Sequence, residues 1–219
     1  MSQSVIITGG QGSLAQCIAN HLASVEPTWT VLCPSRTELD VSCETSIRDF
    51  WQRHSCDLLI AAAGEIADSI LWKTTEREWD RVMDSNLRGA AFAAKAASKA
   101  MLRQRCGHVV FISSYSACHP PLGQVAYASA KAALFGLTKS LAREWGPANI
   151  RVNAVLPGFL ENRMTARVSD ERKSEVLHQH CLSRFNTPEI VAAFLHTLHV
   201  QLPHTSGQVF NLDSRILCD

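Results

Sequence analysis

Residues 4 to 15 read Ser4-Val5-Ile6-Ile7-Thr8-Gly9-Gly10-Gln11-Gly12-Ser13-Leu14-Ala15, and this stretch decides the fold. Ser4 to Thr8 has the short apolar run of a buried strand. It leads at once into Gly10-x-Gly12-x-x-Ala15, which has the Gly-x-Gly-x-x-Gly/Ala spacing of a dinucleotide-binding turn. Leu14, Ile18, Leu22 and Val25 then recur at helical spacing. Strand, glycine turn and helix follow in the order the motif requires. The glycines let the backbone turn tightly and approach a pyrophosphate. The helix offers that anion its unpaired amides and the positive end of its dipole.

Outward from this unit, apolar runs and helical patterns alternate. Strands are expected at 4–8, 29–33, 57–61, 108–113, 150–155 and 208–212, and helices at 12–25, 44–54, 76–103, 126–145, 170–180 and 188–199. A trimmed helix and a short extra strand near Leu39 to Val41 are expected between residues 34 and 57. The alternation implies an α/β fold: a doubly wound parallel sheet of Rossmann type, one domain over residues 1–219, with ligands at the carboxyl ends of the strands. Several strands lack polar alternation, as fits a sheet covered on both faces.

A second pattern carries chemistry. Tyr127 and Lys131 stand four residues apart in a helical stretch, one turn apart on the same face, and Ser114 lies thirteen residues before Tyr127. Free Tyr has a pKa of about 10, so ionising it at neutral pH costs roughly 4 kcal/mol, and a neighbouring cation lowers that cost. Such a pair can exchange a proton with an alcohol or ketone, and a serine hydroxyl at the same oxygen would orient it. Ser113 competes with Ser114 for this role, but strand alternation turns it to the opposite face.

Together these motifs resemble the short-chain dehydrogenase/reductase family over nearly the whole chain. Thr8 to Ala15 stands at the family's glycine motif. Ala61-Ala62-Ala63-Gly64 stands where Asn-Asn-Ala-Gly is usual. Trp79 to Gly89 resembles the segment with a functional Asn, here Asn86. Gly107 to Ser114 resembles the strand that delivers the serine, and Tyr127 to Glu144 the active-site helix. Ile150 to Gly158 matches the segment that closes over the nicotinamide. Arg184 to Ile190 and Ser206 to Asp213 match C-terminal elements. Met164 to Phe185 looks like the substrate loop of the bacterial 3-oxoacyl-carrier-protein reductases, the branch the chain resembles most.

The resemblance implies hydride transfer from a nicotinamide cofactor to a ketone. Ser114 would hold the carbonyl oxygen and Tyr127 would donate the proton. Lys131 would lower the Tyr127 pKa and bind the nicotinamide ribose, and Asn86 would hold a water linking Lys131 to solvent. Thr8, Gly9, Gly10, Gln11, Gly12, Ser13 and Leu14 would line the cofactor. So would Ala62, Ala63 and Gly64, then Pro157, Gly158 and Leu160, with Asp40 and Val41 beside the adenine. Residues 159 to 187 would form the substrate loop, and long helices pairing across subunits would give a homodimer or homotetramer. The chain departs from the pattern at Ser13, Ala15, Ala61, Ala62, Asn162 and Ser214-Arg215.

Cofactor choice is read after the second strand, where Cys33-Pro34-Ser35-Arg36 offers no carboxylate for the ribose hydroxyls. Arg36 can pair with a 2′-phosphate and Ser35 can donate to it, so NADP(H) is favoured over NAD(H). The substrate is expected to be a 3-oxoacyl thioester on carrier protein or coenzyme A. Small ketones, polyketide intermediates and steroids remain alternatives. Arg103, Arg105, Arg163, Arg167 and Arg172 are candidate contacts for an acidic carrier protein. A sugar-nucleotide enzyme is disfavoured by length, and a non-catalytic dinucleotide sensor by the presence of both Tyr127 and Lys131.

Composition agrees. The chain of 219 residues is 46% hydrophobic with a net charge of +1, which fits one soluble core and argues against nucleic-acid binding. No apolar run reaches the ~18 to 20 residues of a membrane span, and the strand and glycine turn so near the start argue against a cleaved signal peptide. The eight cysteines show no Cys-x-x-Cys and are expected as small apolar residues, several of them buried, in a reducing cytoplasm. His178, His180, His196 and His199 are expected on polar helix faces rather than on a metal.

Overall fold

The Ser4–Ile7 strand (β1) takes the middle of a sheet because both of its faces are apolar. Val5 and Ile7 point into one core cluster and Ile6 into the other, all without solvent exposure. The computed structural model describes residues 2–162, 165–166 and 168–216. After β1 come α1 (Ser13–Val25), β2 (Thr30–Leu32), α2 (Glu44–Arg53), β3 (Leu58–Ala61), α3 (Glu76–Met83) and α4 (Gly89–Gln104). Then follow β4 (Gly107–Ile112), α5 (Val125–Trp145), β5 (Ile150–Leu156), α6 (Asp170–His178), α7 (Pro188–Val200) and β6 (Val209–Asn211). The strands pair in parallel in the order β2-β1-β3-β4-β5-β6.

This is the doubly wound α/β arrangement expected from the sequence. Helices α2, α4 and α5 pack on one face over Leu59, Val109, Phe111 and Val152. Helices α1 and α7 pack on the other over Leu58, Ile60, Val110 and Val155. The stripe that α1 buries is Ala15, Ile18 and Leu22, whereas Val25 is exposed. Burying each large side chain contributes roughly 1.5–3 kcal/mol. β1 and β3 are neighbours, but the chain visits β2 between them, so the strand order reverses there. The carboxyl ends of β1 and β3 are thus the switch point at which ligands bind.

Four expectations change. The strand near Leu39 to Val41 is absent among the described residues. The Leu39 amide donates to the Ser35 carbonyl, and the Asp40 carboxylate takes both the amide and the hydroxyl of Ser42, so this stretch closes into turns. Pro34 also lacks a donor for a ladder. Leu39 and Val41 still reach the core.

The helix expected at 76–103 is interrupted by a π-helical turn at Asp84–Arg88. Sequence periodicity does not reveal such turns, which recur at functional sites.

The polar-face expectation for the histidines fails at His180, which is buried, and at His199, which packs inward. The His199 ring stacks on His108, with their Nδ1 atoms 3.1 Å apart. Among the described cysteines only Cys56 is buried; Cys17 and Cys33 are partly covered, and Cys43, Cys106, Cys118 and Cys181 are exposed. The expectation of several buried cysteines therefore fails. Among the described residues no helix is long and apolar enough to cross a membrane.

The His108–His199 stack lies at the amino-terminal end of the sheet, away from the switch point. Asn153 Nδ2 is 3.0 Å from His108 Nε2, and Arg151 donates to the carbonyls of Leu198, His199 and Leu202. Burial, reinforced by the Arg151 guanidinium, pulls His199 down from 6.5 to about 4 and His108 well below its usual value. An unfolded chain binds these protons near pH 6.5 and the folded chain does not. Their stabilising effect is therefore complete above that pH and is lost as pH falls toward 4. For His199 the loss is on the order of 3 kcal/mol. We expect His199→Gln to flatten the fall in urea midpoint across this window relative to wild type. An unchanged slope would refute the role of the ring.

Candidate active site

The glycine turn is built for close approach. Gly9 has φ +79°, and a Cβ there would stand 2.8 Å from the Ala63 Cα. Gly10 lies under the end of β2, where its amide donates to the Pro34 carbonyl at 3.0 Å. A Cβ on Gly10 would meet the Cys33 and Pro34 carbonyl oxygens at 2.2 and 2.5 Å. Gly12 is the N-cap of α1 and offers no side-chain cap, and the first turn, from Ser13 and Leu14 on, carries no acid. Its amides face the switch point beside Gln11, an arrangement that suits an anion.

The ends of β1 and β3 are joined by a side chain. Thr8 Oγ1 accepts from the amides of both Ala62 and Ala63 at 3.1 Å, tying the ends of β1 and β3 together. Pro157 and Gly158 close the same mouth. Gly158 has φ +85°, the Pro157 carbonyl accepts from Asn186, and the Phe159 amide donates to Asp213. The Leu160 side chain goes into the core, so only its backbone faces this region.

The chemical groups meet at the end of β4. Ser113 Oγ donates to the Lys131 carbonyl at 2.9 Å, while Lys131 Nζ donates to the Ile112 carbonyl at 2.9 Å. The pair of bonds fixes α5 against the strand end. Ser113 thus faces away from the site, and Ser114, in extended backbone, faces it. The Ser114 hydroxyl accepts from the Ser116 amide at 3.2 Å and lies close enough to the Tyr127 phenol to favour its ionised form.

The Tyr127 pKa nevertheless runs opposite to the expectation. Burial pushes the phenol up, Ser114 pulls against that, and the Asp68 carboxylate adds to the rise. The Lys131 ammonium, held on Ile112, sits 5.7 Å from the Tyr127 ring centre, and burial brings its own pKa down to about 8.

The π-helical turn delivers Asn86 to the same place. Its Nδ2 donates to the carbonyls of Glu65 and Val82 at 2.7 and 2.9 Å. Its Oδ1 is buried with no hydrogen-bond partner among the described residues. A Cβ on Gly64 would stand 2.6 Å from that oxygen and 3.4 Å from Lys131 Nζ, so Asn86 and Lys131 flank one point opposite Gly64. The glycine cradle, the uncapped helix start and this buried acceptor beside a lysine all fit a nicotinamide dinucleotide. No group of three or more ligating side chains suited to a metal occurs among the described residues.

Other predicted residues lie in the loop after β2. Arg36 Nε is 3.2 Å from Asp40 Oδ2, and Val41 is buried close against Gly89. The sequence reading missed Glu38, whose carboxylate folds back onto Ser35, although the Ser-x-x-Glu spacing of a capping box was there to be read. It also missed a buried cluster at the C-terminal end. His180 Nε2 lies 2.8 Å from Asp213 Oδ1, Arg215 forks onto Asp213 Oδ2, and the Arg215 guanidinium stacks 3.6 Å from the Tyr115 ring centre. Tyr115, His180 and the Asp213–Arg215 pair are far apart in sequence, and no spacing rule joins them. Of the candidate carrier contacts, Arg105 donates to the Pro147 carbonyl, Arg172 pairs with Glu175, and Arg103 is exposed; Arg163 and Arg167 lie outside the described residues.

Comparison with known proteins shows the family. A family profile described as enoyl-(acyl carrier protein) reductase matches residues 12–214. A 3-oxoacyl-[acyl-carrier-protein] reductase from Aquifex aeolicus is 34% identical over 215 residues, covering 95% of this chain and 85% of that protein. The enzyme of the same name from Chlamydia muridarum is 39% identical over 72% of this chain and 64% of its own length. That from Staphylococcus aureus strain Mu50 is 42% identical over 63% of this chain and 56% of its own length. The chain belongs to the short-chain dehydrogenase/reductase family, and so to the NAD(P)-dependent oxidoreductases that interconvert ketones and alcohols.

The Gly10 contact gives a direct check on the cradle. Gly10→Ala should cost about 1–3 kcal/mol through backbone overlap, lower the melting temperature by roughly 2–10 °C, and weaken dinucleotide binding. An unchanged melt with unchanged binding would show that the turn tolerates a side chain.

Proposed function

We propose that this chain is an NADPH-dependent reductase that converts a 3-oxoacyl thioester, carried on acyl carrier protein or coenzyme A, to the 3-hydroxy product. The observation that carries this reading is the meeting of the Ser114 and Tyr127 hydroxyls beside the buried Lys131, at the same strand ends as the glycine cradle. Two hydroxyls that approach one point suit a single carbonyl oxygen. A nicotinamide held in the cradle would supply the hydride for the carbonyl carbon.

Ser114 orients the carbonyl oxygen by donating to it. Tyr127 donates the proton that the oxygen needs as charge develops. The elevated phenol pKa keeps Tyr127 protonated near neutral pH, which suits the reducing direction. Lys131 places a cation beside the phenol and the ribose, and Asn86 with Gly64 opens the route by which a proton returns to Lys131. Thr8 to Leu14, Ala62 to Gly64 and Pro157 to Leu160 would hold the dinucleotide, with Ser35, Arg36, Asp40 and Val41 at its adenosine end. Arg36 and the lack of a carboxylate directly after β2 favour the 2′-phosphate.

Residues 159 to 187 would form the substrate loop of a single domain. Within it the Phe159 and Phe185 rings lie 4.6 Å apart, an apolar surface that suits an acyl chain. The names of the relatives favour a carrier-bound substrate, and such a reductase would work in the cytoplasm as a homodimer or homotetramer. Enoyl reduction is a second reading, favoured by the description of the matching profile alone.

The decisive experiment follows NADPH oxidation with acetoacetyl and longer 3-oxoacyl thioesters, with the matching enoyl thioesters and NADH as controls. We expect turnover of the oxo but not the enoyl series; the reverse would select the second reading. Tyr127→Phe should lower kcat by about 10²- to 10⁴-fold while NADPH binding persists. Wild-type rates in that variant would remove Tyr127 from the chemistry. For reduction, kcat/KM should fall as pH rises through about 8, because Lys131 loses its charge there. A flat profile across that range would remove the lysine cation from the rate-determining state.

A further inference from the structure

Both groups assigned above to the 2′-phosphate already hold carboxylates of their own loop. The Ser35 amide and hydroxyl each lie 2.8 Å from Glu38 Oε2, and Thr37 Oγ1 sits 2.9 Å from the same hydroxyl. The amides of Glu38 and Leu39 donate to the Ser35 carbonyl at 3.1 and 2.9 Å, closing a single turn. Arg36 is engaged by Asp40, whose other oxygen takes the amide and hydroxyl of Ser42. The bonds from the Ser35 amide and hydroxyl hold the Glu38 carboxyl below the usual carboxylate range, so it is an anion at neutral pH. β2 ends at Leu32, and Ser35 follows in the segment where dinucleotide folds read the ribose. The loop is thus an anion site satisfied from within.

We propose that Glu38 sets nucleotide discrimination in this chain: its carboxylate stands in for the 2′-phosphate on Ser35, so a 2′-phosphate must displace it and a 2′-hydroxyl need not. This rests on the dinucleotide reading of the glycine turn and of Ser35 and Arg36. The displaced carboxylate also remains near the phosphate and repels it. Glu38 therefore narrows the preference for NADPH that Arg36 creates, and the chain accepts NADH more readily than Arg36 alone would allow.

The test is direct binding of NADPH and NADH, followed by nicotinamide fluorescence or calorimetry, in wild type, Glu38→Gln, Glu38→Ala and Arg36→Gln. Glutamine can keep the capping bond to the Ser35 amide while removing the charge, so the turn survives. Glu38→Gln should tighten NADPH about five- to tenfold, leave NADH within about twofold, and show a smaller gain at high salt. Glu38→Ala, which removes the same carboxylate, should likewise tighten NADPH more than NADH. Equal changes for both nucleotides, or none, would overturn the proposal and leave Glu38 as a cap. Weaker NADH binding with NADPH unchanged would make Glu38 an acceptor for the ribose, which also overturns it. Failure of the underlying reading looks different: wild type would bind neither nucleotide, or Arg36→Gln would leave NADPH affinity unchanged, and the proposal would fall with it.

Discussion

The reciprocal bond between β4 and α5 is the constraint on which the site depends. Ser113 donates to the Lys131 carbonyl, and Lys131 reaches back to the Ile112 carbonyl. Each partner satisfies a polar group that burial would otherwise leave unpaired, at a cost of about 1–3 kcal/mol. The clamp fixes the rotation of α5, and one turn earlier on the same face that rotation brings Tyr127 toward Ser114. Two adjacent serines thus divide the work. One faces the helix and sets its position, and the other faces the site.

Much of this was legible in the sequence. The glycine turn after an apolar strand fixed the switch point, and strand alternation correctly separated Ser113 from Ser114. Element boundaries fell within one or two residues because the strands are apolar on both faces and the helices are strongly periodic. What escaped the reading depends on geometry that one-dimensional spacing does not encode. The π-helical turn at Asp84–Arg88 changes the hydrogen-bond ladder without changing the residue pattern. The direction of the Tyr127 shift follows from burial and from Asp68, fifty-nine residues away in the chain, rather than from the lysine four residues on. The His180–Asp213–Arg215 cluster joins the end of α6 to the segment after β6.

That cluster also gives meaning to a departure from the family pattern. The departure lies at Ser214-Arg215, and Arg215 uses its length to cover Tyr115, the neighbour of Ser114. Asp213 accepts the Phe159 amide as well, so one buried carboxylate supports both the start of the 159–187 segment and the cation above Tyr115. The root of the segment is therefore held from below by packed polar bonds, while Leu182 further along it is exposed.

The sheet ends at a three-residue edge strand, β2, and the stretch beyond it is made of turns. In a sheet with a further strand, every change in this stretch would be felt through ladder bonds and shared side-chain packing. Here the 33–42 loop meets the rest of the molecule mainly through the buried Leu39 and Val41 and the contact of Gly10 with Pro34. Its charged tips, Arg36 and Glu38, carry no core weight. The two ends of the ligand groove are consequently under different mutational constraint. Under the proposed function the reacting groups would sit on interlocked elements, and the choice of electron carrier on a surface turn that could drift by single substitutions while those elements stay as they are.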